Sequence, residues 1–178
     1  YNWYFTPNKT GTQPLLDAEL KFTENYKAFY YDKCVTDDDK VIYLTFDAGY
    51  ENGNVEKVLD ALDKHNAKGA FFVLDNLIIR NTELVKRMAE EGHSVCNHTC
   101  KHHDMTKCGS FEEFSSELKK LEDVFRENTG KELVKCYRPP EGRFNEQNLK
   151  WAQDLGYSTV FWSFAYADWN NDKQPDPE

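Results

Sequence analysis

The sequence has 178 residues, the size of one domain with a substantial core. Its 31 acidic residues outnumber its 22 Lys and Arg residues, which gives a formal net charge of −9. Nucleic acids and anionic membrane surfaces need a basic face, so this balance disfavours both as partners and leaves a neutral glycan open. No apolar run approaches the roughly 20 residues of a membrane span, and no charged-then-apolar targeting signal is present in this chain.

Residues 1–40 show neither a strand period nor a helix period. They combine aromatic side chains with prolines, and an acidic run follows. We interpret them as an irregular, aromatic-rich N-terminal extension that packs on the main domain, which we assign to residues 41–178.

From residue 41 onward, apolar β-forming runs alternate with segments of helical period. Val55, Val58, Leu59 and Leu62 share one helical face, and Ser110 with Glu113 forms a capping-box pattern that predicts a helix ending at Gly130. The predicted strands are residues 41–46, 69–74, 93–97, 133–137 and 157–162, and the predicted helices follow the first four of them. Such alternation indicates an α/β layer or barrel with parallel strands joined by helical crossovers.

Polar residues follow the predicted strands, where sites form in α/β sheets and barrels. Asp47 ends the first strand, His98 and His102 follow the third, Arg138 follows the fourth, and Asp168 and Trp169 follow the fifth. A carboxylate, two imidazoles, a guanidinium group and an aromatic ring would then share one rim. This combination predicts a catalytic rim more strongly than any member alone.

Each of these residues also has a plain structural interpretation. His98 and His102 are four apart, so on a helical turn they would share a face and grip one metal ion, but they also fit ordinary core or surface histidines. Arg138 fits a surface arginine before a rigid proline turn. Asp47 fits a helix N-cap, a position for which Asn54 competes.

Four ordered motifs resemble those of the polysaccharide deacetylases, the NodB-homology esterases of carbohydrate esterase family 4. "TFDAG" resembles their T-F-D-D-G motif and "HTCKH" their H-[ST]-x-x-H motif, while "RPPEG" and "WSFAYADW" resemble the arginine-proline and fourth motifs. The match runs from about residue 41 to residue 169. "TFDAGYENG" is most similar to the delta-lactam-biosynthetic N-acetylmuramic acid deacetylases, which act on peptidoglycan in spore cortex formation.

The resemblance implies a distorted (β/α) barrel of the polysaccharide deacetylase type. The family's fifth motif, whose histidine protonates the departing amine, has no counterpart before Glu178. We therefore expect a C-terminally truncated or incomplete chain with an open sheet edge, or, as an alternative, a partner chain that fills this edge.

The resemblance also implies hydrolytic removal of N-acetyl groups from peptidoglycan amino sugars, on the extracytoplasmic side of the cell wall or spore cortex. Asp47 would be the general base, His98 and His102 would hold a divalent ion such as zinc, and Arg138 would orient Asp47. Asp168 would orient Arg138 or the catalytic acid. The implied substrate-binding residues on the glycan strand are Tyr50, Pro139, Pro140, Trp162 and Trp169.

Ala48 departs from the family pattern, because typical members carry there an aspartate that is the third metal ligand. Two neutral imidazoles without a carboxylate should hold a divalent ion weakly, unless another donor joins them. Cys100, His103 and Asp104 are candidates for that donor. Ala165 replaces an acid of the fourth motif in the same way.

Two other functions stay open. A glycan-binding module on a catalytically impaired deacetylase scaffold would explain the missing ligand and the 15% aromatic content. An unrelated α/β domain would leave the residues at the strand ends with structural roles only. The five cysteines, an odd number without a zinc signature, leave the disulfide state open, and we expect buried free thiols.

Overall fold

The computed structural model describes residues 1–6, 12, 15–36, 39–168, 170, 172 and 174–176. Within them, six strands form one fully parallel sheet with the order β1-β6-β5-β4-β3-β2. The strands are Ala28–Phe29 (β1), Leu44–Ala48 (β2), Gly69–Val73 (β3), Ser94–Asn97 (β4), Val134–Tyr137 (β5) and Ser158–Val160 (β6). The prediction of an α/β fold with parallel strands is confirmed.

Helices form the crossovers between consecutive strands from β2 onward. They are Val55–Lys64 (α1), Asp75–Arg80 (α2), Thr82–Glu90 (α3), Phe111–Thr129 (α4) and Glu146–Asp154 (α5), with 3₁₀ segments at Ala18–Asn25, Met105–Lys107 and Pro140–Gly142. In the described part of the chain, no helix combines the length and apolar character needed to cross a membrane.

The ends of α4 follow the local signals in the sequence. Ser110 Oγ accepts a hydrogen bond from the backbone N–H of Glu113 at 3.2 Å, and Gly130 ends the helix in the left-handed conformation with φ 70°. Between these ends, the apolar stripe of α4 is buried through Phe114, Leu118 and other residues. Side-chain capping and a C-terminal glycine satisfy backbone groups that a helix end leaves without partners.

The interpretation of residues 1–40 as wholly irregular is wrong. β1 pairs in parallel with β6, with Ala28 opposite Thr159 and Phe29 opposite Val160. A strand of two residues is too short to show a period, so it could not be predicted from the sequence pattern. The segment does pack through its aromatic residues, in a cluster of Trp3, Leu20, Ala28, Phe144, Leu149 and Phe161.

The sheet is open in the described part of the chain, with β1 and β2 as its edge strands. The predicted first strand begins later than expected, since residues 41–43 precede β2 and are exposed. An apolar cleft of about 410 Å³ lies beside β2, lined by Leu44, Phe46, Val58, Ala61, Leu62, His65 and Ala67. None of the polar residues of the predicted rim lines this cleft.

The five cysteines, all in the described part of the chain, are free thiols. Cys96 and Cys100 are buried, as expected, whereas Cys108 and Cys136 are half-buried and Cys34 is exposed.

A buried histidine at the amino end of β4 makes the stability of the fold depend on pH. His93 Nδ1 accepts a hydrogen bond from the N–H of Gly69 at 3.1 Å, and its Nε2 lies 3.5 Å from Glu91 Oε2. Burial is the main cause that lowers the pKa of His93, and the nearby charges of Lys68 and Arg87 act in the same direction against the Glu91 carboxylate. The neutral ring is therefore the stable form in the folded protein.

We expect the free energy of unfolding to fall as the pH drops from 7 toward 5. The unfolded chain binds a proton at His93 below its ordinary pKa of about 6.5, whereas the folded chain resists it, so stability is present above that pH and lost below it. Denaturant unfolding of His93→Gln, which keeps an acceptor for Gly69, should show a weaker pH dependence in this window. Equal pH dependence of the two proteins would contradict the assignment.

Candidate active site

An ion pair between Asp47 and Arg138 lies at the carboxyl edge of the sheet. Asp47 belongs to β2 and Arg138 directly follows β5, and Arg138 Nη1 donates to Asp47 Oδ1 at 2.9 Å. The arginine side chain is 4% exposed and the aspartate side chain 41% exposed. The guanidinium group thus holds the carboxylate in one orientation while leaving it open to water and a ligand.

Four acceptors satisfy the buried Arg138 guanidinium group. Besides Asp47, it donates from Nη2 to Thr45 Oγ1 at 2.9 Å and to the Phe161 carbonyl at 3.1 Å, and from Nε to the Val160 carbonyl at 3.1 Å. Its Cζ also lies 4.2 Å from the centroid of the Phe72 ring. A buried charge is tolerated only with such a complete set of partners, so the arginine is fixed from several sides.

His98 follows β4 and turns its ring toward Asp47. Its Nδ1 lies 2.9 Å from the Arg138 carbonyl oxygen, which can only accept, so Nδ1 carries the proton. Nε2 then offers its lone pair 3.7 Å from Asp47 Oδ2. Burial lowers the pKa of His98 despite the nearby carboxylate, which favours the neutral ring that metal ions bind.

His102 reaches His98 through a loop and not through the helical turn that we expected. Thr99 and His102 have positive φ values of 71° and 57°, a conformation rare for a β-branched residue such as threonine. Thr99 Oγ1 accepts a hydrogen bond from the His102 N–H at 2.9 Å. The loop brings the two imidazole rings to a centroid distance of 4.9 Å, with His102 exposed and His98 buried.

Asn97 anchors this loop, a role that was not predicted from the sequence. Its Oδ1 accepts from the Thr99 N–H at 2.9 Å, and its Nδ2 donates to the Leu118 carbonyl and to the Tyr157 hydroxyl, both at 3.0 Å. Tyr157 in turn donates to Glu122. The available signal was its position at a strand end just before the first histidine. An amide buried there needs several hydrogen-bond partners and so can hold the neighbouring loop.

The two histidines bring two imidazole rings together at the rim, the kind of ligand that divalent ions take, and among the described residues no third donor joins them. No group of three or more His, Cys, Asp or Glu side chains suited to a metal is found among the residues that the structure describes. The three candidates for a further donor have other partners: Cys100 Sγ donates to Asp75 at 3.2 Å, His103 lies 3.5 Å from Glu117, and Asp104 accepts from Thr106. Burial and Asp75 raise the pKa of Cys100 to about 12, which keeps its thiol protonated.

Ala48 contributes nothing to the rim. Its side chain belongs to the main apolar cluster, together with Leu59, Val73 and other buried residues.

The remaining predicted site residues differ in exposure and in how close they lie to Arg138. The expected contact between Asp168 and Arg138 is not formed in the described part of the chain, where Asp168 is exposed and bonds only through its backbone. Pro139 and Pro140, which we expected to bind substrate, are buried and so present little surface to a ligand. Tyr50 is 66% exposed, and the half-buried Trp162 ring lies 5.7 Å from Arg138 Cζ. Trp169 lies outside the described residues.

The fold and the site define a class: an α/β protein with a carboxylate–arginine–histidine site at the carboxyl edge of a parallel sheet. The sequence profile of the polysaccharide deacetylases matches residues 35–160. The chain therefore belongs to the polysaccharide deacetylase family.

Similar proteins include peptidoglycan deacetylases. The chain is 41% identical over 175 residues to the peptidoglycan-N-acetylmuramic acid deacetylase PdaA of Bacillus subtilis, covering 97% of this chain and 65% of the relative. It is 36% identical to a peptidoglycan-N-acetylglucosamine deacetylase of Bacillus cereus, over 72% of this chain and 46% of that protein. The chain thus spans about two thirds or less of these relatives' lengths.

Solved structures show the same fold. The structure of Bacillus subtilis PdaA, a family 4 carbohydrate esterase, superposes with a TM-score of 0.89 at 40% identity, covering 97% of this chain and 72% of that one. A family 4 pseudoenzyme from Bacillus anthracis, BA3943, superposes with a TM-score of 0.63 at 26% identity, covering 70% of this chain and 44% of that one.

Proposed function

We propose that this chain carries the catalytic base of a peptidoglycan N-deacetylase, a hydrolase that cleaves a non-peptide C–N bond and releases acetate from an amino sugar. The observation that carries the proposal is the Asp47 carboxylate, fixed by the buried Arg138 yet open to solvent, with His98 Nε2 3.7 Å from its second oxygen. Membership of the polysaccharide deacetylase family supports it.

The chemistry of the reaction assigns each group a task. An amide carbon is a poor electrophile, so a water molecule must lose a proton as its oxygen attacks the acetyl carbon, and the amine nitrogen must gain a proton as the C–N bond breaks. We assign the proton from water to Asp47 Oδ2, the oxygen to which Arg138 does not donate. Arg138 keeps Asp47 oriented, and the His98 and His102 rings would hold a divalent ion. When bound, that ion supplies Lewis acidity toward the acetyl carbonyl oxygen.

We further propose that the sugar unit is N-acetylmuramic acid and that the reaction serves muramic delta-lactam formation in the spore cortex. The support for this proposal is the similarity to PdaA, at 41% identity over nearly the whole chain, against 36% over a shorter segment for the N-acetylglucosamine enzyme. The substrate partner would be a peptidoglycan glycan strand, reached on the extracytoplasmic side of the membrane. The exposed Tyr50 and the Trp162 ring are the described aromatic side chains proposed to contact it.

Acetate release from purified glycan strands by the full-length protein tests the function. Parallel reactions use strands with N-acetylmuramic acid stripped of peptide, strands that keep the peptide, and a chitin oligosaccharide without muramic acid, each with added zinc or with a chelator. We expect release from the stripped strands with zinc. Release from the chitin oligosaccharide alone would contradict the muramic acid assignment, and no release from any substrate would contradict the deacetylase.

A glycan-binding module on an impaired deacetylase scaffold is the second candidate. The observation in its favour is Ala48, which leaves two imidazoles as the rim's metal donors among the described residues, and the similarity to a family 4 pseudoenzyme agrees with it. Glycan binding measured by calorimetry without acetate release would select this candidate.

We expect zinc binding to be weak and to tighten in Ala48→Asp. Losing a residue that only hydrogen-bonds to a metal ligand lowers metal affinity about 10-fold or more. A carboxylate that binds the ion directly should therefore raise the zinc affinity by at least as much. Because Ala48 is packed with Leu59 in the apolar cluster, the new carboxylate must turn out of that cluster to reach the ion, and it should destabilise the metal-free protein. Calorimetric zinc titration and thermal unfolding with and without zinc measure both effects. His102→Ala serves as the control that lowers affinity, and equal zinc affinity of wild type and Ala48→Asp would contradict the argument.

A further inference from the structure

Trp3 lies outside every strand and helix, yet it is one of the most firmly held residues of the N-terminal segment. It is 5% exposed, its backbone N–H donates to the Gly142 carbonyl at 2.8 Å, and its indole Nε1 donates to the Trp162 carbonyl at 2.9 Å. One residue therefore connects the loop after Arg138, through its backbone, with the segment after β6, through its side chain. These are two of the four chain segments that carry the predicted rim.

The ring of Trp3 also fixes Phe161. The two rings are stacked, with centroids 4.1 Å apart and planes 12° from parallel. The Phe161 N–H donates to the Phe29 carbonyl at 2.8 Å, so β1 holds its backbone from the other side. The Phe161 carbonyl is one of the four acceptors of the Arg138 guanidinium group. A stacked aromatic pair contributes more than its buried area alone, so this contact limits how far Phe161 can shift.

Gly142 shows how closely the loop approaches both tryptophans. It has φ 66°, and a Cβ atom at this position would lie 2.7 Å from the Trp162 ring and 3.1 Å from Trp3 Cβ. Nothing larger than glycine fits without moving one of these rings. The loop that follows Arg138 is thus pressed against Trp3 and Trp162, the donor and the acceptor of the indole hydrogen bond.

We propose that Trp3 is a positioning residue of the deacetylase site. It stacks on Phe161 and donates to the Trp162 carbonyl. The Phe161 carbonyl accepts from the Arg138 guanidinium group, and Arg138 in turn orients the Asp47 carboxylate. Trp3 does not touch the reacting atoms and acts only through these contacts. The catalytic part of this proposal depends on the deacetylase function proposed above, whereas its structural part, the restraint on Arg138, does not.

Trp3→Phe is the test variant, because it keeps a ring over Phe161 and removes the indole donor to Trp162. We expect kcat for acetate release by the full-length protein to fall about 10-fold, since a misplacement of about 1 Å can cost up to about 10²-fold. KM should stay unchanged, because Trp3 contacts no substrate. A mere loss of stability would lower the folded fraction and would not change kcat per folded molecule.

Phe22→Leu is the matched control. Phe22 packs against the same aromatic cluster, stacked on Phe144 and tilted against Tyr1. No ring contact with Phe161 joins it to the arginine in the described part of the chain. We expect this variant to lose comparable thermal stability and to keep the wild-type kcat at temperatures well below unfolding. Equal kcat values for Trp3→Phe and wild type would overturn the positioning role.

A second measurement does not need enzymatic activity. Solvent exchange of the Arg138 Nε–H, followed by NMR of arginine-labelled protein, reports the bond to the Val160 carbonyl. We expect faster exchange in Trp3→Phe and unchanged exchange in Phe22→Leu, and unchanged exchange in both would overturn the proposal. If wild type released no acetate, the deacetylase function would fail, while the exchange rates would still decide whether Trp3 restrains Arg138.

Discussion

Asp47→Asn is expected to lower acetate release about 10³-fold, within the range for losing a general base. The amide has nearly the same shape and can still accept from Arg138 Nη1, but it cannot take a proton from water at neutral pH. Because the Asp47 side chain is 41% exposed, the loss of its charge should destabilise the protein by no more than about 2 kcal/mol. Initial rates of acetate release and chemical denaturation measure the two effects.

Asp60→Asn provides the matched control for this variant. Asp60 also forms an Asp–Arg pair, with Arg87 Nη2 at 2.8 Å, but it lies on α1, away from the carboxyl edge of the sheet. The same substitution there should leave acetate release unchanged. Activity of Asp47→Asn within a few-fold of Asp60→Asn would show that Asp47 is not the base.

Arg138→Lys is expected to lower acetate release about 10²-fold, as expected for a misplaced catalytic group. A lysine ammonium is a point charge without the planar fork that meets four acceptors at once, so the Thr45 hydroxyl and the Val160 and Phe161 carbonyls cannot all keep their donors. Buried acceptors left without donors should also reduce the free energy of unfolding by about 2 kcal/mol. Kinetics and denaturant unfolding of the same preparation measure both.

Arg87→Lys is the control for Arg138→Lys, because it makes the same substitution at an ion pair outside the site. Arg87 donates to Glu91 at 2.6 Å and pairs with Asp60, yet its side chain is 30% exposed, so water can replace lost donors. We expect little change in activity or stability. If Arg138→Lys behaved in the same way, the guanidinium geometry would not matter to the site.

The five longer strands and four of the helices could be predicted because their signals are local. The apolar stripe of α4, its Ser110 cap and its Gly130 end all agree, and the structure reproduces each of them. β1 and α2 were missed because their existence depends on tertiary contacts. β1 has two residues and is defined only by pairing with β6, whereas α2 has six residues, too few for a clear helical period.

The site was predictable to the extent that parallel strands place their carboxyl ends on one edge. This rule brought Asp47, His98 and Arg138 together although up to 91 residues separate them. The conformation of the loop from His98 to His102 was not predictable, because it depends on two left-handed residues and on the buried Asn97 amide. The same limit applies to Asp168, whose position depends on a segment without regular structure.

The strand order imposes a sequence of events on folding. β1, near residue 28, pairs with β6, near residue 159. β1 therefore cannot join the sheet before β6 has been synthesised. Contacts between segments so far apart in the sequence form slowly. Closing the long loop between them costs chain entropy before any contact can compensate for it. During synthesis, the N-terminal aromatic side chains would stay exposed until about residue 160 has emerged from the ribosome. The Arg138 pocket takes two of its acceptors from Val160 and Phe161, so it would be completed only after β6 has been synthesised.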